Sequence, residues 1–206
     1  MTAVKVKKVE RIEQMDQRFY DAVEASPVIA AVKDMKGLDK SCLMEDMHVV
    51  FILFGDICTI KNIVKKVKDN GKIAMVHIDL IIGLGSKEVA VDFIKENTQA
   101  DGIISTKPAL IKRAKELSLF TILRFFIIDS IALSNVGSLD KQSPRNLPDF
   151  IEVLPAAMPK IIQRICKSSK IPVIAGGLVT DKEDVVGALS AGAVSVSTTE
   201  QEVWEM

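Results

Sequence analysis

The stretch IPVIAGGLVTDKEDVVGALSAGAVSVSTT, residues 171–199, decides the fold. It begins with an apolar, β-branched run, Ile171–Ala175, and turns at Gly176-Gly177. Thr180-x-x-Glu183 reads as a capping box opening a helix that stops before Gly192. A second apolar run, Ala193–Ser197, follows and ends on Thr198-Thr199. Working outward, the same strand–helix beat returns roughly every 20–30 residues. The other runs are Val28–Val32, Val49–Phe54, Ile73–Ile78, Gly102–Ser105, Thr121–Ile128 and Phe150–Leu154. All are near-continuous Val/Ile/Phe stretches, as expected of parallel strands buried on both faces. Eight units in 206 residues predict an α/β fold, a single-domain (β/α)8 TIM barrel. A doubly wound open sheet also alternates strand and helix. It normally needs fewer units and a glycine-rich turn after its first strand, whereas here that strand ends Ala30-Ala31-Val32-Lys33-Asp34.

The intervals have helical spacing. Ile60, Ile63, Val64 and Val67 form one apolar face, with Lys61, Lys65, Lys66 and Lys68 opposite, and Asn70-Gly71 stops the helix. Met158, Ile161, Ile162 and Ile165 repeat the pattern, with Lys160, Arg164 and Lys167 solvated. Pro108 suits a helix's first turn. Residues 1–26 form an N-terminal extension in which Val9, Ile12, Phe19 and Val23 mark a leading helix that closes the barrel bottom. Residues 27–206 form the barrel. The weakest unit is the fifth: Ile131–Val136 reads as helix, and Gly137–Pro148 as a mobile loop.

Lys plus Arg equals Asp plus Glu, 27 each. No global basic field attracts nucleic acid, and one Trp and one Tyr make no aromatic platform for bases. Cys42, Cys58 and Cys166 show no C-x-x-C spacing and read as buried reduced thiols of a cytoplasmic protein. No apolar run approaches the ~18 residues of a membrane span, and Met1–Arg11 has no signal-peptide core.

In a barrel, the working residues follow the strands. Here those positions are Lys33-Asp34, Gly55-Asp56, Asp79, Lys107, Asp129, Pro155, Gly176-Gly177 and Thr198-Thr199. Gly176-Gly177 lets backbone N–H groups approach an anion. Ser197, Thr198 and Thr199 add hydroxyls at the start of a final helix. Together, in units seven and eight, they read as a phosphate site. The bland alternative is a glycine turn followed by an ordinary N-cap. Lys107 and Arg124 can neutralise phosphate, and Asp79 and Glu152 can accept hydrogen bonds from polyol hydroxyls. The competing reading is a structural ion pair such as Arg124 with Glu152. His77 reads more readily as a core histidine than a catalyst, and His48 as exposed. Asp56, Asp79 and Glu152 offer oxygens to Mg2+, but carboxylates alone assign no metal, and nothing in the spacing assigns a catalytic residue.

At these residues the chain resembles a known family. HIDLIIGLGSKEVAVDFI (77–94), ADGIISTKP (100–108), PDFIEVLP (148–155), IPVIAGGL (171–178) and SVSTTEQEVW (195–204) are similar to the glycerol-3-phosphate-responsive antiterminators of glycerol uptake operons. The resemblance runs from about Pro27 to the C-terminus. It implies a barrel that binds glycerol 3-phosphate as effector, with no cofactor, and that acts on leader mRNA to prevent early termination. Ile82 departs from the family pattern, which has an acidic residue there. RNA binding is implied by the resemblance alone, and Lys141 and Arg145, in the fifth-unit loop, are its candidate contacts. A phosphosugar lyase, isomerase or phosphodiesterase is the alternative. Membrane association is not expected. A homo-oligomer remains open.

Overall fold

The computed structural model describes residues 17–139, 143 and 146–206. Eight parallel strands close in sequential order: β1 (Val28–Val32), β2 (Val49–Ile52), β3 (Ile73–His77), β4 (Gly102–Ser105), β5 (Phe120–Phe126), β6 (Phe150–Leu154), β7 (Val173–Gly176) and β8 (Ser195–Thr198). Helix α1 (Gln17–Glu24) precedes them. Seven helices connect them: α2 (Met35–Leu43), α3 (Ile60–Asp69), α4 (Glu88–Asn97), α5 (Pro108–Glu116), α6 (Ser130–Ser138), α7 (Pro159–Ser168) and α8 (Lys182–Ser190). The sequence expectation of a (β/α)8 barrel with a leading helix is met.

Period two divides each strand between two cores. Inward residues such as Ile29, Phe51, Met75, Ile104, Ile122, Phe150 and Ile174 fill the barrel. Outward residues pack against the helices. Helix α1 plugs the N-terminal end. Its Phe19 stacks on Phe120 with centroids 4.4 Å apart and meets Phe150 edge-on at 5.2 Å, and Val23 is fully buried beside them. Val9 and Ile12 lie outside the described residues. Helix α3 buries Ile60, Ile63, Val64 and Val67, each contributing about 1.5–3 kcal/mol. Gly71 follows at φ +73°, the left-handed stop its position predicts.

The N-terminal end is tied by a motif used twice. Asp101, just before β4, accepts from Ala74 N at 2.8 Å and from Lys68 Nζ at 2.6 Å. Asp149, just before β6, accepts from Thr121 N and Lys115 Nζ, both at 2.8 Å. Each aspartate bonds the strand before its own and the lysine at the end of that strand's helix. Asp149 also holds Thr121 Oγ1 at 2.8 Å. Asp149→Ala orphans these buried donors and is expected to cost about 2–3 kcal/mol. Urea denaturation checks it, and an unchanged midpoint would mean that water replaces the carboxylate.

Four local expectations change. The helix before Gly192 is capped one residue later than the Thr180/Glu183 box. Asp181 accepts from Asp184 N, and Asp184 reaches back to Thr180 N at 2.9 Å, because aspartate's shorter side chain fits this turn. Ser197 and Thr198 belong to β8. The chain then makes only a 3-10 turn, Val203–Glu205, rather than a helix opened by the hydroxyls. The fifth-unit helix reaches Ser138. Cys58 is exposed, and no disulfide involves Cys42, Cys58 or Cys166. His48 is exposed, as expected.

Candidate functional site

The C-terminal mouth holds a cavity of about 360 Å3. Arg124, Glu152, Gly177, Ser197, Thr198 and Thr199 line it, joined by Ala31, Leu53, Leu154, Leu178, Val179, Thr180 and Glu200. Six of the nine ligand candidates thus share one cavity.

The floor is an ion pair across β5 and β6. Arg124 and Glu152 are register partners, so both side chains point inward at one level. Arg124 Nε donates to Glu152 Oε2 at 2.5 Å, and Ser197 Oγ donates to Glu152 Oε1 at 2.5 Å. Glu152 is wholly buried and Arg124 is 8% exposed. The structural ion pair weighed against ligand binding therefore exists, yet it uses only one guanidinium nitrogen. The two terminal nitrogens meet no acceptor among the described residues. A buried cation with donors to spare can take a second anion.

Gly176 does not line the cavity. A Cβ there would lie 2.4 Å from Ser197 Oγ and 2.8 Å from Glu152 Oε1, so glycine lets those two side chains meet. Gly177 has φ +74° and Leu178 has φ +58°. Two consecutive left-handed residues, one with a side chain, are uncommon and costly. They turn the loop so that the N–H group of Leu178, like that of Thr199 on the next loop, finds no acceptor among the described residues, whereas the Gly177 N–H faces Ser197 in the β7–β8 ladder. Sequence reading missed Leu178. Its signal, a non-glycine residue forced into the left-handed region, exists only in the backbone.

The hydroxyls divide. Ser197 is spent on Glu152. Thr198 Oγ1 donates to Val179 O at 3.1 Å and accepts from Glu200 N at 3.0 Å. Thr199, half-buried, is the hydroxyl left for a ligand. The dipole expected from a final helix has no counterpart, because only the 3-10 turn Val203–Glu205 follows β8; the start of α8 is itself crowded by Asp181, Glu183 and Asp184.

Asp79 and Lys107 lie apart from this lining, on the β3–β4 side. Asp79 accepts from Lys107 Nζ at 3.0 Å, Thr106 N at 2.7 Å and the Ser105 hydroxyl at 3.1 Å. Burial pushes its carboxyl up, but the Thr106 N–H and the Lys107 ammonium outweigh burial and hold it below the usual range. His77, 3% exposed, sits in the barrel between the two clusters. Burial first, then the Arg124 charge, lowers its pKa to about 4, with Asp79 opposing, so the imidazole is neutral at pH 7. Its Nδ1 is buried without a hydrogen-bond partner among the described residues.

The Mg2+ option fails on placement. Asp56 caps its own turn through Cys58 N and Thr59 N, both at 2.8 Å, away from Asp79 and Glu152. No group of three or more His, Cys, Asp or Glu gathers among the described residues. Lys141 and Arg145 lie outside those residues. The neighbouring Leu139, Asn146 and Pro148 line a separate groove against α5, on the barrel flank. None of the described residues of Gly137–Pro148 borders the mouth cavity. No helix among the described residues is long and apolar enough to cross a membrane.

Residues 28–204 match the glycerol-3-phosphate responsive antiterminator family. The chain belongs to that family. Within it, the chain is 46% identical to the uncharacterized protein YgcP of Escherichia coli (strain K12), over 88% of this chain and 93% of that one. The glycerol uptake operon antiterminator regulatory protein of Listeria monocytogenes superposes with a TM-score of 0.80 at 34% identity, covering 86% of this chain and 94% of the other. A glycerol uptake operon antiterminator-related protein of Thermotoga maritima gives 0.75 at 34% identity, covering 88% and 99%. Orotidine 5'-phosphate decarboxylase from Pyrococcus horikoshii, at 13% identity and a TM-score of 0.64 over 87% of this chain and 91% of that one, shares the fold alone.

Proposed function

We propose that this antiterminator-family barrel is a cytoplasmic sensor. It binds glycerol 3-phosphate in the mouth cavity without turnover and, when loaded, acts on the leader mRNA of glycerol uptake genes to prevent early termination. The observation that carries the ligand reading is the β7–β8 rim. Free N–H groups of Leu178 and Thr199 stand with the two terminal nitrogens of buried Arg124, which meet no acceptor among the described residues, around one cavity. Converging donors of this kind form an anion site. The backbone strain at Leu178 lies in the same loop, where strain commonly marks function. The apolar walls Ala31, Leu53 and Leu154 suit a short carbon chain better than free phosphate.

Regulation rather than catalysis fits the state of the acids and bases. Asp79 and Glu152 each accept hydrogen bonds on both carboxylate oxygens and Lys107 is paired, so none of these three stands ready to move a proton. A phosphosugar enzyme remains the alternative, and one sample separates the two. Wild-type protein is incubated with glycerol 3-phosphate, assayed for product, and titrated against leader RNA with and without the ligand. Ligand-enhanced RNA affinity without product supports the sensor. Product formation, or equal RNA affinity in both states, rejects it.

Ligand also links to stability. Glycerol 3-phosphate at a hundredfold excess over its Kd should add about 2.7 kcal/mol. Thermal melts should show a larger shift than with glycerol or inorganic phosphate at equal concentration. An equal shift from phosphate would mean that the carbons are not recognised.

A further inference from the structure

A (β/α)8 barrel is filled in layers of four side chains, drawn alternately from odd and even strands. Carried from strand to strand, the register puts Ala31, His77, Arg124 and Gly176 at one height. This is the highest layer to which all four odd strands contribute. Phe51, Ile104, Glu152 and Ser197 form the even-strand layer beneath it. The Ser197–Glu152 bond, passing where a Gly176 side chain would stand, fits that order. Two members of the upper layer are large and two are small, so the layer is filled on the His77–Arg124 side and open elsewhere.

His77 therefore stands at the wall of the mouth cavity. Its layer neighbours are Ala31 and Arg124. Leu53, on the adjoining strand, follows Ile52, the register partner of Val76. All three line the cavity. Strand β3 lies across the closed barrel from β7, so the imidazole is opposite the loop of Gly177 and Leu178.

Packing alone does not call for a histidine here. Met75, two residues earlier on the same face of β3, fills the barrel with an apolar side chain. His77 is 3% exposed, and its Nδ1 has no hydrogen-bond partner among the described residues. A buried polar atom left unmet costs stability and asks for a reason. The Ser26 hydroxyl is in the same state, but it precedes β1, at the other end of the barrel. Only the His77 nitrogen stands beside the cavity.

The chemistry of the ring selects the ligand group. The imidazole is neutral at pH 7, and a neutral ring nitrogen suits a hydroxyl, which donates or accepts as required. An anion is better served by the Arg124 guanidinium. Asp79 and Glu152, the sequence-based candidates for polyol hydroxyls, already accept hydrogen bonds on both oxygens.

We propose that His77 holds a hydroxyl at the glycerol end of the ligand, across the cavity from the phosphate. This rests on the ligand reading above, and it makes His77 the residue that tells a polyol phosphate from a plain alkyl phosphate.

Calorimetry of full-length protein at pH 7 with glycerol 3-phosphate, propyl phosphate and inorganic phosphate tests it. Propyl phosphate keeps the phosphate and the three carbons and lacks the hydroxyls. Wild type should bind glycerol 3-phosphate at least about tenfold more tightly than propyl phosphate, because the alkyl ligand leaves Nδ1 unmet. In His77→Phe the loss should fall on glycerol 3-phosphate and not on propyl phosphate, so that the preference disappears. His77→Asn, whose amide stands near the place of Nδ1, should keep part of it. A His77→Phe that weakens both ligands equally shows a packing role and overturns the proposal, as does one that keeps the wild-type preference. A second measurement needs no variant. The nitrogen NMR resonance of His77 Nδ1 in wild type should move with glycerol 3-phosphate and not with propyl phosphate. An unmoved resonance, or equal wild-type affinity for the two, overturns the hydroxyl contact and leaves the phosphate site standing. A wild type that binds none of the three probes overturns this proposal and the sensor reading together.

Discussion

Arg124→Met is expected to cost about 3–5 kcal/mol of stability, because it leaves the Glu152 carboxylate charged and wholly buried without its cation. It should also weaken glycerol 3-phosphate binding by tenfold to a hundredfold, as charge-assisted bonds from the two terminal nitrogens disappear. The double variant Arg124→Met/Glu152→Gln separates the two roles. Removing both charges should restore most of the stability, since a neutral pair carries no stranded ion. Binding should remain lost. Denaturant unfolding and calorimetry on both variants check this. If the double variant recovered binding, the guanidinium would be purely structural.

Acid should destabilise the protein through His77. Its folded pKa is about 4, against roughly 6.5 when unfolded. Between those values the unfolded chain holds the proton and the folded chain does not. Stability therefore falls as pH drops from about 6.5 to about 4, and this contribution levels off below pH 4. The shift corresponds to about 3 kcal/mol at 1.36 kcal/mol per unit. The neighbouring charges are Arg124 and Lys107, which resist protonation, and Asp79, which favours it. Asp79 adds its own loss at lower pH. Its carboxyl is held below the usual range, so its contribution is present above about 3.9 and is lost as pH falls through the lower folded value. His77→Gln should flatten the profile above pH 4 and leave the lower limb. A wild-type stability that does not change between pH 6.5 and 4 would show that the imidazole is solvated.

The sequence made the barrel legible because strands buried on two faces leave long apolar runs and because glycine, proline and Asn-Gly mark the turns between them. It singled out units seven and eight as the candidate site for a similar reason, since period two fixes which side chains face inward at the strand ends. The division of labour within that set was not legible. Gly176 and Gly177 are adjacent and chemically identical. One makes room for the Ser197–Glu152 bond, whereas the other bends the loop over the cavity. Ser197, Thr198 and Thr199 carry the same group, but the first two hydroxyls are satisfied by Glu152, Val179 and Glu200, partners remote in sequence or on the next turn. Asp79 and Lys107 have the charge and position of ligand contacts, and their mutual pairing depends on the β3–β4 register.

In the proposed complex, glycerol 3-phosphate sits on the donors of the seventh and eighth loops. Calorimetric titration of wild type, Gly177→Val and Thr199→Ala with glycerol 3-phosphate tests it most directly. A Cβ at Gly177 would meet Leu154 at 3.1 Å under an already left-handed φ, so valine must move the loop. Saturable binding at one site is expected in wild type. Near-complete loss is expected in Gly177→Val, and a loss of roughly 1–2 kcal/mol in Thr199→Ala from the missing hydroxyl. Wild-type affinity in both variants would place the phosphate elsewhere in the molecule.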